Sequence, residues 1–219
     1  MAIILNIETA TRNCSVSIAN DGKTLVCKEI AEQHFSHAEK LHLFIDEICK
    51  ESNITLKELS AVAVSQGPGS YTGLRIGVSA AKGFCYALSI PLIAVDTLLL
   101  LAKKVTIQQG VIIPMIDARR MEAYTACFDS KYLKIRNTEA EIVDANSYQE
   151  MEGPIHLVGD GAIKFQPILT AAKFHFYPEI EFPSANEMSA ISFEKYENKD
   201  FVDLAYFEPF YLKDFVLNR

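Results

Sequence analysis

The sequence predicts an α/β protein, and three observations carry that prediction. Short β-branched runs alternate with segments whose apolar residues recur every three to four positions, which marks strands interleaved with helices. Residues 3–8, IILNIE, can be laid over residues 112–117, IIPMID, and in both places a polar turn and a returning strand follow. The length, 219 residues, suffices for one sizeable core or two small ones. The internal match reads either as a duplication or as a chance likeness between two strand–turn–strand units. Under duplication, Glu8 and Asp117 stand at equivalent strand ends, where carboxylates project into a crevice.

The elements follow in order. Residues 2–8 form a first strand, Ser15–Asn20 an alternating second, and Asp21-Gly22 a hairpin turn into a third near Thr24–Glu29. Ser36 with Glu39 makes a capping box for a helix from His37 to Lys50, on which Leu41, Phe44, Ile45 and Ile48 recur at helical spacing. Thr55 with Glu58 repeats the box before a short helix, and Ala61–Ser65 is a buried strand. A glycine-rich turn, QGPGSYTGLR at 66–75, opens a long helix over Thr72–Leu88. Pro91–Val95 is a strand, and Asp96 or Thr97 caps a helix through Lys104. In the second half, Val111–Ile116 is a strand ending in Asp117, with further strands at Met121–Phe128 and Tyr132–Arg136. Ile155–Val158 enters the turn Gly159-Asp160-Gly161, a helix runs over Phe165–Ala171, and another over Ser184–Tyr196. The aromatic tail FEPFYLKDF is too apolar to float free.

Composition narrows the function classes. The formal charge of −7 disfavours a chain that grips nucleic acid unaided, since such proteins carry a basic stripe, although a partner can supply one. The five cysteines are scattered and include no CxxC pair, which fits a reducing compartment rather than a zinc knuckle or disulfide framework. The N-terminus has no basic lead, and the longest apolar segment is interrupted by Asp96 and Thr97, so a cytoplasmic protein without a membrane span is expected.

The glycine-rich turn sits between a strand and a helix, where backbone N–H groups and the helix dipole favour an anion. Gly67, Gly69, Ser70 and Thr72 are therefore candidate anion-binding positions, with Arg75 one turn on. The turn nevertheless lacks the Gly-Lys-Ser/Thr of a P-loop. It also misses GxGxxG, because the sixth position is Thr72 and Gly73 comes one residue late. The helix it opens has little bulk at Gly73, Gly77, Ala80, Ala81 and Gly83. Interior glycine costs a helix about 1 kcal/mol relative to alanine, so close approach must compensate, either of the protein's own sheet or of a partner's helix. Glu8, Thr9, Asp117, Arg119, Gly159 and Gly161 are the remaining candidates for a cleft or anion site, against the plainer reading of solvated turns. His34, His37 and His42 lack the i, i+4 spacing of a metal pair, and no metal site is expected.

Four stretches together resemble one family. ILNIETATRNCSVSI, QGPGSYTGLRIGVSAAKG, IDARRMEAY and the closing EPFYL are similar to the bacterial TsaB (YeaZ) family, in the right order across both halves. The resemblance implies a two-domain fold of the actin, sugar-kinase and heat-shock-chaperone (ASKHA) type with ribonuclease H-like domains, here 1–100 and a smaller 101–219 whose last residues can pack back on the first. It implies a non-catalytic activator or scaffold for the TsaD transferase, which places threonylcarbamoyl on a tRNA adenosine next to the anticodon. TsaE is the expected ATPase partner, the free chain a homodimer, and tRNA is reached only through the complex. No cofactor is expected on the isolated chain; ATP or ADP with magnesium belongs to the complex. Pairing in this family uses the first-domain helices. That points to Ser36, His37, Leu41, Phe44 and Ile45 on one, and to Gly73, Arg75, Ile76, Gly77, Ala80, Ala81 and Phe84 on the other. On that reading Gly77→Leu breaks pairing and leaves the monomer folded. The alternatives are a nucleotide-binding ATPase or phosphotransferase of the same fold, and a metallopeptidase of the M22 type. Against the latter, the HxxxH of TsaD-like proteins is missing here.

Overall fold

In the computed structural model, residues 1–32 and 37–213 are described. The chain divides into two compact units, one of residues 1–97 with 184–210, the other of 98–183 with 211–219.

The first unit contains β1 (Ile3–Glu8), β2 (Asn13–Asn20), β3 (Lys23–Ala31), α1 (His37–Ser52), β4 (Ala61–Gly67), α2 (Tyr71–Leu88) and β5 (Leu92–Asp96), and the short helix α3 (Thr97–Ala102) follows β5 in the chain. Its sheet has the order β3-β2-β1-β4-β5, with β2 antiparallel to its neighbours β1 and β3, and β1, β4 and β5 parallel. Asp21 and Gly22, at φ 46° and 79°, make the turn into β3 that the Asp-Gly pair predicts. Alternation along β1 sends Ile3, Leu5 and Ile7 to one core with Val16, Ile18, Val62 and Val64. Leu41, Phe44, Ile45 and Ile48 of α1 close that core together with Val78 and Ala81 of α2.

The second unit repeats this plan. Strands β6 (Val111–Asp117), β7 (Glu122–Phe128), β8 (Lys134–Ile142), β9 (Ile155–Val158) and β10 (Phe174–Tyr177) form a sheet of order β10-β9-β6-β7-β8 with the same mixture of pairings. Both sheets thus have a ribonuclease H-like layout, and Glu8 and Asp117 end equivalent strands, as the duplicated reading of the sequence requires. Both faces of this sheet are apolar. Ile113, Met115, Leu157 and Phe165 lie in one core, and Ile112, Ile116, Phe128 and Val158 in another.

A boundary at residue 100 is close to the observed one, but residues 184–210 belong with the first unit rather than with 101–219. Hydrogen bonds explain the difference. The helix α4 (Ala185–Glu197) covers the polar face of the first sheet, where Ser15 and Ser17 are fully buried. The Ala185 N–H donates to Ser15 Oγ at 2.9 Å, Ser17 Oγ donates to the Ala185 carbonyl at 2.8 Å, and Asn6 donates to Ser17 and Ser189. Alternating serines in β2 mark a face made for a polar helix. The expected helix over Phe165–Ala171 is instead a short 3-10 turn at Ile163–Phe165 continued by turns through Leu169, whose N–H donates to the Phe165 carbonyl at 2.9 Å, and the edge strand β10 follows. The 55–58 capping box leads only to a 3-10 turn, Leu56–Glu58. The Ser36 box lies outside the described residues.

All five cysteines are free. Burial pushes the thiols of Cys14, Cys85 and Cys127 up to about 11, so they act as small apolar groups.

Candidate functional site

The glycine-rich turn closes on the β1–β2 turn of its own unit. Gly67, at φ 110°, donates its N–H to Thr97 Oγ1 at 3.0 Å. The Ser70 N–H donates to the Ala10 carbonyl at 2.7 Å, and Ser70 Oγ caps α2 by accepting from the Gly73 N–H at 3.3 Å. Thr9 Oγ1 donates to the Gly73 carbonyl at 2.8 Å. A Cβ on Gly73 would stand 2.2 Å from the Thr9 carbonyl oxygen, and one on Gly77 2.2 Å from Thr9 Oγ1. Real Cβ atoms essentially never come so close, so the first turns of α2 accept only glycine at these points. Gly69 meets the Ala10 carbonyl in the same way. Glu8 is fully buried, and its carboxylate accepts the Ala10 N–H at 2.5 Å. His37, at the start of α1, donates from Nε2 to the Thr11 carbonyl at 2.8 Å; burial lowers its pKa, and that carbonyl partly opposes the shift.

Glu8, Thr9, Gly69, Ser70, Gly73, Gly77 and His37 therefore come together, but as a packed joint. The turn does not fit a phosphate cradle, because the N–H groups of Gly67, Ser70 and Gly73 already donate within the chain. Thr72 and Arg75 are exposed on α2, with the Arg75 guanidinium 4.0 Å from the centre of the Tyr71 ring.

The second unit holds the other candidates. Asp117 is exposed and paired with Lys164, and it accepts the Arg119 N–H at 3.0 Å. The Gly159 N–H donates to the Ile180 carbonyl at 2.8 Å, and that of Gly161 to the Met115 carbonyl at 3.0 Å, so this second glycine turn is a tight connection. The two strand-end acids consequently differ in kind: one is buried in its own turn, the other is a lysine-paired surface group.

The expected partner residues divide. His37, Leu41, Phe44, Ile45, Gly73, Gly77 and Ala81 are buried within the first unit, which corrects their assignment to an interface. Apolar recurrence on α1 marks the face toward its own sheet, and the small residues of α2 admit the Thr9-Ala10 turn. Gly77→Leu is accordingly a folding mutation rather than a pairing mutation. Arg75 is exposed, and Ile76, Ala80 and Phe84 are half-buried; Ser36 lies outside the described residues. Sequence reasoning missed the other side of the two helices. There Leu43 and Tyr86 are 48% and 82% exposed, His42 stands 6.0 Å from the Phe84 ring, and a Cβ on Gly83 would touch nothing. The signal was present: Leu43 falls out of phase with the stripe 41, 44, 45, 48, and an apolar residue there has no internal use.

Among the described residues no three His, Cys, Asp or Glu side chains converge to hold a metal ion, and no helix is long and apolar enough to cross a membrane.

Comparison with known proteins places this arrangement. A family model described as "TsaD: tRNA N6-adenosine threonylcarbamoyltransferase" matches residues 26–207. The chain is 30% identical to the tRNA threonylcarbamoyladenosine biosynthesis protein TsaB of Escherichia coli, over 96% of this chain and 94% of that protein. It is 29% identical to the TsaB protein of Buchnera aphidicola, over 90% and 91% respectively. YeaZ from Pseudomonas aeruginosa has the same fold, with a TM-score of 0.85 at 21% identity over 97% of this chain and all of that one. Matched over 96% of its length at 30% identity, the chain belongs to the TsaB (YeaZ) family, and with it to the wider TsaD-type family whose model it fits.

Proposed function

We propose that this chain works in tRNA threonylcarbamoyladenosine biosynthesis as a non-catalytic partner that activates a TsaD-like transferase. The observation that carries the reading is the 30% identity to a TsaB protein over 96% of the chain. The geometry supports a scaffold role, because the groups a nucleotide enzyme would offer are engaged internally: Glu8 by its own turn, Asp117 by Lys164, and the glycine-turn N–H groups by the chain itself. The partner surface on this reading is the outer side of α1 and α2, with Leu43, Tyr86 and Arg75 exposed on it and Phe84 half-buried at its edge. Exposed aromatic and arginine side chains of this kind commonly anchor interfaces. The reading extends to a cytoplasmic protein that self-pairs through this surface when free. A TsaE-like ATPase joins the assembly, ATP or ADP with magnesium enters only there, and tRNA is held only by the complex.

The test is reconstitution with a TsaD-like transferase, a TsaE-like ATPase, threonylcarbamoyl-adenylate and tRNA. The chain alone modifies nothing and cleaves no peptide, and adding it restores modification. Equal modification without it overturns the proposal. Tyr86→Ala with Leu43→Asp should leave the unfolding midpoint unchanged and weaken TsaD binding at least tenfold, since about 1.4 kcal/mol is tenfold. Tight binding of magnesium-ATP to the isolated chain would instead favour a phosphotransferase.

A further inference from the structure

The geometry points to the tip of the β6–β7 hairpin as an RNA-contacting element, with Arg119 and Arg120 held ready for phosphate oxygens of the tRNA backbone. This rests on the proposed role in tRNA modification and adds a contact to it.

Four observations in the second unit carry the inference. Arg119 and Arg120 both adopt left-handed backbone, at φ 69° and 54°. The turn is a three-residue hairpin loop, 119–121, with the Ala118 N–H donating to the Glu122 carbonyl at 3.1 Å and the Glu122 N–H to the Arg119 carbonyl at 3.3 Å. Left-handed backbone suits Gly, Asn or Asp and is unfavourable for a residue with a long side chain. Two consecutive arginines there are a poor choice for the hairpin and need a reason outside it.

The base of the hairpin is locked. Lys164 pairs with Asp117 and donates to the Glu122 carbonyl at 2.6 Å, while Asp117 accepts the Arg119 N–H. The tip is thus presented in one conformation.

The flanking acids are also neutralised by other cations. Asp117 pairs with Lys164 and Glu122 with Lys213. Among the described residues neither arginine makes an ion pair, and both are exposed. Two lysines are matched to two carboxylates, and two guanidiniums remain. That local excess lies on a chain whose formal charge is −7, so the positive surface is placed rather than general. Guanidinium is the side chain best suited to phosphate oxygens, and paired phosphate contacts position a backbone without reading its sequence.

The test uses the full complex with its transferase. The double variant Arg119→Asn with Arg120→Gly removes both charges and places residues that tolerate left-handed backbone at both positions, so it folds at least as well as the parent. tRNA affinity of the complex is measured between 50 and 200 mM salt, flagged by a slope that falls by about 2 when two phosphate contacts are lost, with affinity about tenfold weaker near 0.1 M. Arg119→Lys with Arg120→Lys retains most of the affinity. Unchanged affinity and slope in the Asn-Gly variant overturn the inference. So does a loss of transferase binding with tRNA contact intact, which would assign the tip to a protein surface. If the parent chain neither joins the transferase nor restores modification, the functional reading fails and takes this one with it; if the parent does both, only the hairpin is in question.

Discussion

Replacing Gly77 by alanine isolates the joint between α2 and the β1–β2 turn. The added Cβ would lie 2.2 Å from Thr9 Oγ1, about 1.2 Å short of the 3.4 Å of ordinary contact. Thr9 cannot turn aside freely, because its χ1 is stiff and its hydroxyl donates to the Gly73 carbonyl at 2.8 Å. Overpacking of this kind costs about 1–3 kcal/mol and a lost buried hydrogen bond about 1 kcal/mol, against about 1 kcal/mol regained from helix propensity. The net expectation is a loss of about 2 kcal/mol. In a Thr9→Ala background the obstructing oxygen is gone and the remaining Cβ is 3.4 Å away, so the same substitution should gain about 1 kcal/mol. A double-mutant cycle by urea unfolding should then give a coupling of about 3 kcal/mol. Gly83→Ala serves as reference: its Cβ meets nothing within 4 Å, and it should stabilise by about 1 kcal/mol. If Gly77→Ala stabilised like Gly83→Ala, this face of α2 would not be packed on its own chain, and the reasoning would be refuted.

Two further expectations concern stability. His37 has a folded-state pKa below that of the unfolded chain, so nothing is lost above about pH 6.5, whereas acidification protonates the unfolded state first and erodes stability below that pH. His37→Gln should flatten the decline in unfolding free energy between pH 6.5 and 5 relative to the parent, with the residue from His156, whose pKa is also lowered by burial, left in both; an identical decline would remove His37 from the account. In the second unit, one carboxylate oxygen of Glu141 accepts from Arg136 at 2.9 Å, from Thr125 at 2.7 Å and from the Tyr148 hydroxyl. Glu141→Ala strands a mostly buried guanidinium and phenol and should cost about 2–4 kcal/mol in chemical denaturation, while a cost near zero would mean that water replaces the carboxylate.

Much of the fold was legible because its signals are local. The period-two run of β2, the stripe 41, 44, 45, 48 and the Asp21-Gly22 turn each specify an element without help from the rest of the chain. The duplicated strand with its terminal acid was also legible, since IILNIE and IIPMID repeat both pattern and polarity. The helix expected over Phe165–Ala171 is only a 3-10 turn and the turns after it, and β10 was missed because four residues, FHFY, carry too little pattern to separate a strand from a turn.

The site was less legible than the fold. Glycines at 69, 73 and 77 announce a close approach in the sequence, but a missing side chain does not say what approaches. The structure names it: Thr9 and Ala10 of the same unit, reached by a pairing some sixty residues apart. The same holds for α4, whose Ser189 hydroxyl and Ala185 backbone find their partners in β1 and β2 from the far end of the chain. The sequence by itself determined most of the elements and the family and offered their duplicated order as one of two readings, because periodicity, turn residues and contiguous motifs act over short separations. Only the tertiary structure decided which face of each helix is internal, which acid is buried and which is paired, and that two arginines stand unmatched at a hairpin tip, because burial and charge pairing depend on residues brought together from distant parts of the chain.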